Sequence, residues 1–367
     1  MKTMFLAILL VIGALVAAIF LTVTFSFSSK DHSEYDLPRH PSTGLGSSES
    51  LEHAEAAKLI VSGMNEAPKQ GRDEMMRLMR QQMDERGESI PIGSEIHPVN
   101  VDGMDGEWVI APNATSKRRL LYIHGGGYVM GSPKSHRLIT SRLSEVSGAA
   151  VLSIDYRLQP ENSRMAGIED CRKAYAWLLE NSPDTSSSLE VLFVAGDSSG
   201  GNLALATIAW ARDSELRAAD AVVVFSPQTD ATLESPSLVK NTATDVMQGR
   251  SFGPVVKAPK VFSLGFGFLM NRINPSNPNV SPLLGDLSNL PPTLVQVSEA
   301  EMFLDDAVRY VNKANAQGSP ALLQTWPFVM HVWQAFQVPE ADEAFRKVEV
   351  FLREHTPIEP VTNAVRE

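Results

Sequence analysis

The residues with the clearest chemical potential are a serine and its neighbours at 196–201, which read Gly-Asp-Ser-Ser-Gly-Gly. This motif has the spacing G-x-S-x-G, follows an apolar run at 191–195 and precedes a helical pattern at 202–210. Small residues on both sides allow the sharp strand-to-helix turn that lifts a serine hydroxyl above the edge of a sheet. The context indicates that Ser198 is a nucleophile; the simpler alternative is a serine that only caps the next helix.

A second glycine-rich segment, His-Gly-Gly-Gly-Tyr at 124–128, follows the apolar run at 119–123. A serine that attacks a carbonyl group needs hydrogen-bond donors for the negative charge that develops on the oxygen. Glycines allow backbone amides to approach that oxygen closely, because no Cβ stands in the way. We therefore expect the amides of Gly125, Gly126 and Ser199 to form an oxyanion hole; the alternative is a plain glycine loop.

A histidine is needed to accept the serine proton, and in this strand–serine–helix arrangement it follows the serine along the chain, after an acidic residue. Two histidines lie on that side of Ser198, namely His331 and His355. His331 stands at a turn after the last apolar run, whereas His355 lies in the final polar part of the chain. We predict that His331 is the base and that His124 supports the glycine loop.

The acid that orients the histidine is expected on the loop after the apolar run at 293–297. Four carboxylates compete there: Glu299, Glu301, Asp305 and Asp306. Asp305 and Asp306 suit the start of the next helix, where carboxylates interact favourably with the helix dipole. Glu301 is closest to the expected loop position, but spacing alone does not choose among the four.

Short apolar runs alternate with helical patterns along most of the chain. The candidate strands are 95–99, 107–111, 119–123, 149–154, 190–195, 221–225, 293–297 and 321–325. The candidate helices are 135–146, 166–180, 201–212, 305–316 and 340–353. This alternation predicts an α/β fold with a mostly parallel central sheet covered by helices. The first two strands have no helix between them and are expected to form an antiparallel edge, although Pro98 weakens the first.

Two segments without strands are expected to form a helical cap beside the site. The first, 51–86, has helical periodicity and a methionine-rich apolar face, and a break at 67–68 predicts two helices. The second, about 229–275, is the one long interval without a clear strand. With the alternating elements, these segments predict one domain over 51–357, followed by a tail at 358–367.

The N-terminal segment differs in kind, because residues 4–27 include no charged side chain. About 20 apolar residues in a helix span the core of a bilayer, so we predict a transmembrane anchor within 1–28 and a linker over 29–50. Lys2 precedes this stretch and acidic residues follow it, which predicts a catalytic domain on the non-cytoplasmic side of the membrane. The alternative is a cleaved signal peptide, which would give a secreted or periplasmic protein.

Composition and charge limit the partners of this chain. The net charge is −11 and no stretch concentrates lysine and arginine, which argues against nucleic acid and gives no reason to expect docking on anionic lipid. The single cysteine, Cys171, excludes an intrachain disulfide. Gly13 and Ala17 form a small-xxx-small pair that could pack two anchor helices into a homodimer.

On these residues the chain resembles the hormone-sensitive-lipase-type branch of the α/β-hydrolases, the bacterial family IV esterases, over about residues 50–355. Its segments 124–128, 155–161 and 196–201 are similar to the family's glycine, Asp-Tyr-Arg-Leu-Ala-Pro-Glu and nucleophile motifs. Further similar segments lie at 281–283, 290–292, 301–305 and 331–334. The family carries alanine where this chain has Ser199, and either aspartate or glutamate at the position of Glu301.

The resemblance implies an α/β-hydrolase fold and a serine carboxylesterase with the triad Ser198, Glu301 and His331. It implies hydrolysis of short- to medium-chain esters through an acyl-enzyme, with Tyr128 at the substrate and without a metal or cofactor. Lactones, carbamates or small amides would use the same residues. A non-catalytic ligand-binding protein on this fold is the remaining alternative; such relatives have lost the catalytic histidine, whereas His331 is present here.

Overall fold

A computed structural model describes residues 31–38, 49–65 and 71–356, together with residues 23, 26 and 27. Among these residues, the strands in chain order are β1 (Glu95–Val101), β2 (Met104–Ile110), β3 (Thr115–Ile123), β4 (Ala149–Ile154), β5 (Val191–Asp197), β6 (Ala221–Phe225), β7 (Thr293–Ser298) and β8 (Ala321–Trp326). They form one sheet in the order β1-β2-β4-β3-β5-β6-β7-β8. The pairs β1–β2 and β2–β4 are antiparallel and all the others are parallel, which confirms the predicted mostly parallel sheet and its antiparallel edge.

The described helices are α1 (Leu51–Asn65), α2 (Arg72–Ser89), α3 (Arg137–Ser147), α4 (Arg164–Glu180), α5 (Ser198–Asp213), α6 (Ser237–Lys240), α7 (Gly253–Lys257), α8 (Lys260–Asn271), α9 (Leu304–Ala316) and α10 (Pro339–His355). Five of them, α3, α4, α5, α9 and α10, cover the two faces of the sheet, as the alternation of patterns predicts. Successive residues of a strand point to opposite faces. On β3, for example, Leu121 and Ile123 pack in the cluster that includes α4, α5 and α9, whereas Leu120 and Tyr122 pack in the cluster that includes α3 and α10.

The parallel strands bring their carboxyl ends to one edge of the sheet, where ligands bind in open α/β sheets. Strand β3 ends directly before the glycine segment and β5 ends directly before Ser198. The loops after β7 and β8 carry Glu301 and His331 at the same edge. The sheet topology therefore gathers four sequence segments that are spread over more than 200 residues of the chain.

Part of the predicted linker packs against the domain. Residues 33–35 form a 3-10 turn, and Asp36 Oδ1 accepts a hydrogen bond from Arg309 Nε of α9 at 2.7 Å. Asn312 Nδ2 donates to the carbonyl oxygen of Tyr35 at 2.9 Å. Polar contacts thus fix residues 35 and 36 along α9.

The predicted transmembrane anchor falls almost wholly outside the described residues. Within the part of the chain that the structure describes, no helix has the length and apolarity to cross a membrane. The end of the uncharged stretch is described, and it contacts α8: Val23 packs with Leu264, and the Phe27 ring stacks on Phe268 with centroids 4.7 Å apart. The anchor itself, and the helix pairing at Gly13 and Ala17, remain predictions.

Candidate active site

Ser198 occupies a strained turn between β5 and α5. Its φ is 52°, in the left-handed region that costs a residue with a side chain about 1–3 kcal/mol. Two residues on, a Cβ at Gly200 would overlap the carbonyl oxygen of Ile123, so only glycine lets the first turn of α5 pack this closely against β3. The tight approach holds the serine at the carboxyl edge of the sheet.

The structure brings Ser198, His331 and Glu301 together in a chain of hydrogen bonds. The distance from Ser198 Oγ to His331 Nε2 is 2.9 Å, and His331 Nδ1 lies 2.6 Å from Glu301 Oε2. The exposed fractions of the three residues are 8%, 2% and 1%. Because Glu301 can only accept when ionised, Nδ1 carries the imidazole proton and Nε2 is free to accept from the serine hydroxyl.

The other three carboxylates of the acid loop have different partners. Glu299 Oε1 accepts a hydrogen bond from Thr325 Oγ1 at 2.8 Å, and Asp305 Oδ2 accepts one from the Ser237 amide at 2.8 Å. Asp306 Oδ2 accepts from the amides of Thr229 and Asp230. Of the four candidates, the geometry therefore pairs Glu301 with the histidine.

Burial and charge act in opposite directions on the pKa values of this pair. Burial raises the pKa of Glu301, and the neighbouring His331 only partly offsets it. Burial alone lowers the pKa of His331, but the Glu301 carboxylate, with further contributions from Asp245 and Asp197, outweighs it and raises the pKa above its ordinary value. A raised pKa makes the imidazole a stronger proton acceptor for the serine hydroxyl.

The structure corrects the expected role of Gly125. Its amide donates to Oδ1 of the buried Asp197 at 2.9 Å, so this donor is already used within the protein. A Cβ on Gly125 would overlap Asp197 Oδ2. This glycine therefore permits close contact with the residue before Ser198, and its amide is already paired with the Asp197 carboxylate.

The amides of Gly126, Gly127 and Ser199 have no acceptor among the described residues. The backbone of Gly126 has φ 117° and that of Gly127 has φ 62°, which glycine adopts without strain. Ser199 lies at the N-terminus of α5, where backbone amides are unpaired and the helix dipole favours negative charge. Its own hydroxyl is buried and has no partner in the described part of the chain.

A buried polar network holds the glycine loop beside Ser198. Asp197 Oδ1 also accepts from the Tyr122 hydroxyl at 2.5 Å, and His136 Nε2 lies 3.5 Å from Oδ2. Burial raises the pKa of Asp197, but His136 and these hydrogen bonds outweigh it and lower the pKa. Tyr156 donates to the carbonyl oxygen of His124 at 2.9 Å.

His124 is placed for support, as expected from the sequence. Its Nδ1 lies 2.8 Å from the Gly125 carbonyl oxygen and its ring stacks on Tyr156, with centroids 4.3 Å apart. Burial and the nearby His136 lower the pKa of His124 to about 3, so the ring is neutral at physiological pH. Three further residues of the site, Gly127, Asp197 and Tyr156, lie inside the sequence motifs but were not predicted from them.

Tyr128 lies at the end of the glycine loop with φ 66°. The guanidinium of Arg164 stacks over its ring at 3.6 Å from the centroid, and its hydroxyl lies 3.5 Å from Gln228 Oε1. These contacts fix the ring direction, while the contact with a substrate remains a prediction. Among the described residues, no group of three or more His, Cys, Asp or Glu side chains could hold a metal ion.

Comparison with known proteins decides the family. The family model for the alpha/beta hydrolase fold matches residues 120–335. An acetyl-hydrolase of Streptomyces hygroscopicus is 35% identical over 260 residues, which cover 70% of this chain and 82% of that protein. The chain belongs to the hormone-sensitive-lipase-type esterases of the α/β-hydrolase fold.

Solved structures of esterases agree with this assignment. An esterase of the bacterial hormone-sensitive lipase family is 32% identical with a TM-score of 0.72, and the match covers 84% of this chain and 99% of the other. The structure of EstE5 soaked with p-nitrophenyl butyrate is 33% identical with a TM-score of 0.71 and the same coverage. The family resemblance read from the motifs is thereby confirmed.

Proposed function

We propose that this esterase hydrolyses carboxylic esters through an acyl-enzyme on Ser198, with His331 as the base and Glu301 as the acid. The observation that carries the assignment is the continuous chain of hydrogen bonds, 2.9 Å and 2.6 Å long, from the serine hydroxyl through the imidazole to the carboxylate. This is the arrangement that activates a weak hydroxyl nucleophile in serine hydrolases.

In the proposed reaction, His331 Nε2 takes the proton of Ser198 as Oγ attacks the ester carbonyl carbon. Glu301 holds the ring in its tautomer and stabilises the imidazolium. The amides of Gly126, Gly127 and Ser199 donate to the oxyanion, in place of the set with Gly125 that the sequence predicts. The alcohol leaves with the proton from His331, and water then releases the acid by the same steps in reverse.

The first test is Ser198→Ala assayed with p-nitrophenyl esters. We expect turnover to fall by at least about 10⁴-fold in a folded protein, and an organophosphate probe to label Ser198 in the wild type but not in His331→Ala. Turnover retained in Ser198→Ala would refute the assignment of the nucleophile. Absence of labelling in the wild type would instead favour a ligand-binding protein without an activated serine.

Short acyl esters are the proposed substrates. The acetyl-hydrolase relative is named for a two-carbon acyl group, and the EstE5 structure was obtained with a four-carbon ester. A panel of p-nitrophenyl esters of increasing acyl length, with lactones, carbamates and small amides alongside, tests this specificity. We expect the highest kcat/KM for acyl chains of short to medium length; a higher value for lactones or carbamates would replace the proposal.

We further propose that the uncharged stretch at 4–27 anchors the protein, with the catalytic domain on the non-cytoplasmic side. Two observations on α8 and the residues that follow it support the anchoring. The inner side of α8 contacts Val23 and Phe27, and Asn274 and Ser276, which follow α8 in the chain, donate to the carbonyl oxygens of Ser26 and Phe27. The end of the apolar stretch is therefore held against the cap.

The outer side of α8 is suited to contact a membrane. It exposes Phe262, Phe266 and Leu269, which lie at i, i+4 and i+7 and so share one helix face. Residues 237–274 also carry five basic residues and one acidic residue in a chain of net charge −11. Apolar side chains flanked by basic residues are typical of helices that lie in the interface of an anionic bilayer.

The test uses the full chain in anionic vesicles that contain nitroxide-labelled lipid. Cys171 is buried, so a fluorophore can be placed selectively on Phe266→Cys or on the control Val350→Cys of α10; the two side chains are 54% and 55% exposed. We expect strong quenching at position 266 and weak quenching at 350. Equal quenching, or disulfide cross-linking between two copies through position 266, would contradict a bilayer at this face.

A further inference from the structure

The geometry points to a second histidine that acts on the catalytic loop: we infer that His53 of α1 is a positioning residue for His331. The inference rests on the proposed role of His331 as the base. The His53 side chain is buried, with 1% of the residue exposed, although most residues around it on α1 are partly or fully exposed. A buried histidine on a surface helix needs a reason, since burying a polar group without a partner is costly.

His53 links a carboxylate to the backbone of the catalytic loop. Its Nε2 lies 2.9 Å from the amide nitrogen of Met330, the residue before His331, and its Nδ1 lies 2.5 Å from Glu49 Oε1. Because an amide can only donate, Nε2 must be the acceptor and the ring proton must sit on Nδ1. His53 therefore has the same tautomer as His331, with a glutamate at Nδ1 and a proton donor at Nε2.

The start of α1 is fixed to the helix that follows the catalytic loop. Ser50 caps α1, because its Oγ accepts from the His53 amide at 3.1 Å. Ser50 also donates from its amide and its hydroxyl to the two carboxylate oxygens of Glu340, at 2.8 and 2.9 Å. Glu340 is the second residue of α10, so His53 reaches Met330 from a fixed position.

Packing brings α1 against the same loop. Ala56, Ala57 and Ile60 of α1 pack on an apolar cluster that contains Met330 and Trp333, which lie on either side of His331. The helix thus contacts the loop through apolar side chains as well as through the His53 hydrogen bond. Only the hydrogen bond specifies the direction of one backbone group.

Side-chain acceptors hold the backbone on both sides of His331. The Met330 amide donates to His53, and the Val332 amide donates to Ser226 Oγ at 3.2 Å. Val332 has φ 51°, so the loop turns sharply there and depends on its neighbours to stay in place. Removing the acceptor at residue 53 deprives the Met330 amide of its side-chain partner, and the loop loses the contact that fixes the direction of this amide.

The experiment compares His53→Ala with His53→Gln in the full chain. We expect His53→Ala to lower kcat for p-nitrophenyl butyrate by about 10- to 100-fold, because an ångström-scale misplacement of a reacting group has effects of this size. KM should change by less than about threefold. His53→Gln should restore most of kcat, since its side-chain oxygen can accept from Met330 while its amide group donates to Glu49.

Ile60→Ala is the matched control, because it removes packing between the same helix and the same cluster but leaves the hydrogen bond. It should lower Tm and leave kcat unchanged. A kcat for His53→Ala within about twofold of the wild type, an equal loss in Ile60→Ala, or no rescue by His53→Gln would each overturn the inference. Retained activity in His331→Ala would instead refute the proposed base, and so the two failures are distinguishable.

Discussion

The two sides of the Ser198 hydroxyl are prepared in opposite ways. On the side of the proposed base, His331 is already hydrogen-bonded to both the serine and Glu301. On the other side, the amides of Gly126, Gly127 and Ser199 have no acceptor among the described residues. The base must be oriented before a substrate arrives, whereas oxyanion donors are useful only if they stay unpaired until charge develops.

The largest effect on kcat is expected from a substitution on the His331 side of the serine, at Glu301. Glu301→Gln keeps the size of the side chain but removes the charge and allows the imidazole to adopt the wrong tautomer. We expect kcat to fall by about 10⁴-fold, with little change in KM. Glu301→Asp is the matched control, since it keeps the charge; a Glu301→Gln enzyme with near-normal kcat would show that another group orients His331.

On the oxyanion side, two neighbouring glycines make a matched pair. A Cβ at Gly126 would overlap the Met130 carbonyl oxygen, whereas a Cβ at Gly127 would meet nothing within 4 Å. We expect Gly126→Ala to displace the donors and lower kcat by about 10²- to 10³-fold, and Gly127→Ala to cost about tenfold or less, mainly through its positive φ. Steady-state kinetics of both variants, with circular dichroism to check folding, measures the difference. Equal losses of kcat in the two variants would contradict the expected difference between Gly126 and Gly127.

The pH dependence reports the charge on the base. Because the Glu301 carboxylate raises the pKa of His331, the acid limb of kcat/KM should lie above the ordinary histidine value of about 6.5. Below that pKa the imidazolium cannot accept the serine proton, and so kcat/KM should fall about tenfold per pH unit. In Glu301→Gln, the acid limb of the residual kcat/KM should move to lower pH. A limb below about 6.5 in the wild type would contradict the raised pKa.

The smallest effect is expected at Ser199, whose amide is a proposed donor but whose hydroxyl has no partner among the described residues. Ser199→Ala keeps the amide and removes a buried unpaired group. The free energy of unfolding should rise by about 1 kcal/mol, with kcat within about threefold of the wild type. Thermal denaturation and steady-state kinetics measure the two effects; a large loss of kcat would mean that the hydroxyl itself contacts the substrate or the oxyanion.

The sequence predicts the sheet well because most strands are short apolar runs and helical patterns separate the parallel ones, and each of the eight strands that the structure describes overlaps a predicted run. It also places Ser198 and His331 on loops that meet at one edge. Chain spacing could not choose Glu301, because four carboxylates follow β7 within a few residues. Only the fold shows that Glu299, Asp305 and Asp306 bond elsewhere.

The donors of the oxyanion hole were predicted less well for a physical reason. A glycine in the sequence indicates that the backbone can approach something closely, but not what it approaches. For Gly125 the neighbour is the Asp197 carboxylate, and for Gly126 it is the Met130 carbonyl oxygen, whereas a Cβ at Gly127 would meet nothing within 4 Å. The net charge of the whole chain likewise did not reveal the excess of basic residues at 237–274, because a total charge does not show where along the chain the charges lie.

The contact between α8 and the end of the N-terminal stretch has a practical consequence for producing this enzyme. A recombinant chain trimmed to begin at residue 31 lacks Val23 and Phe27, which cover Leu264 and Phe268. Trimming would therefore uncover a second apolar side of a helix that already exposes three large apolar side chains. Self-association of such a sample would arise from α8 rather than from a misfolded sheet, and mild detergent should reverse it.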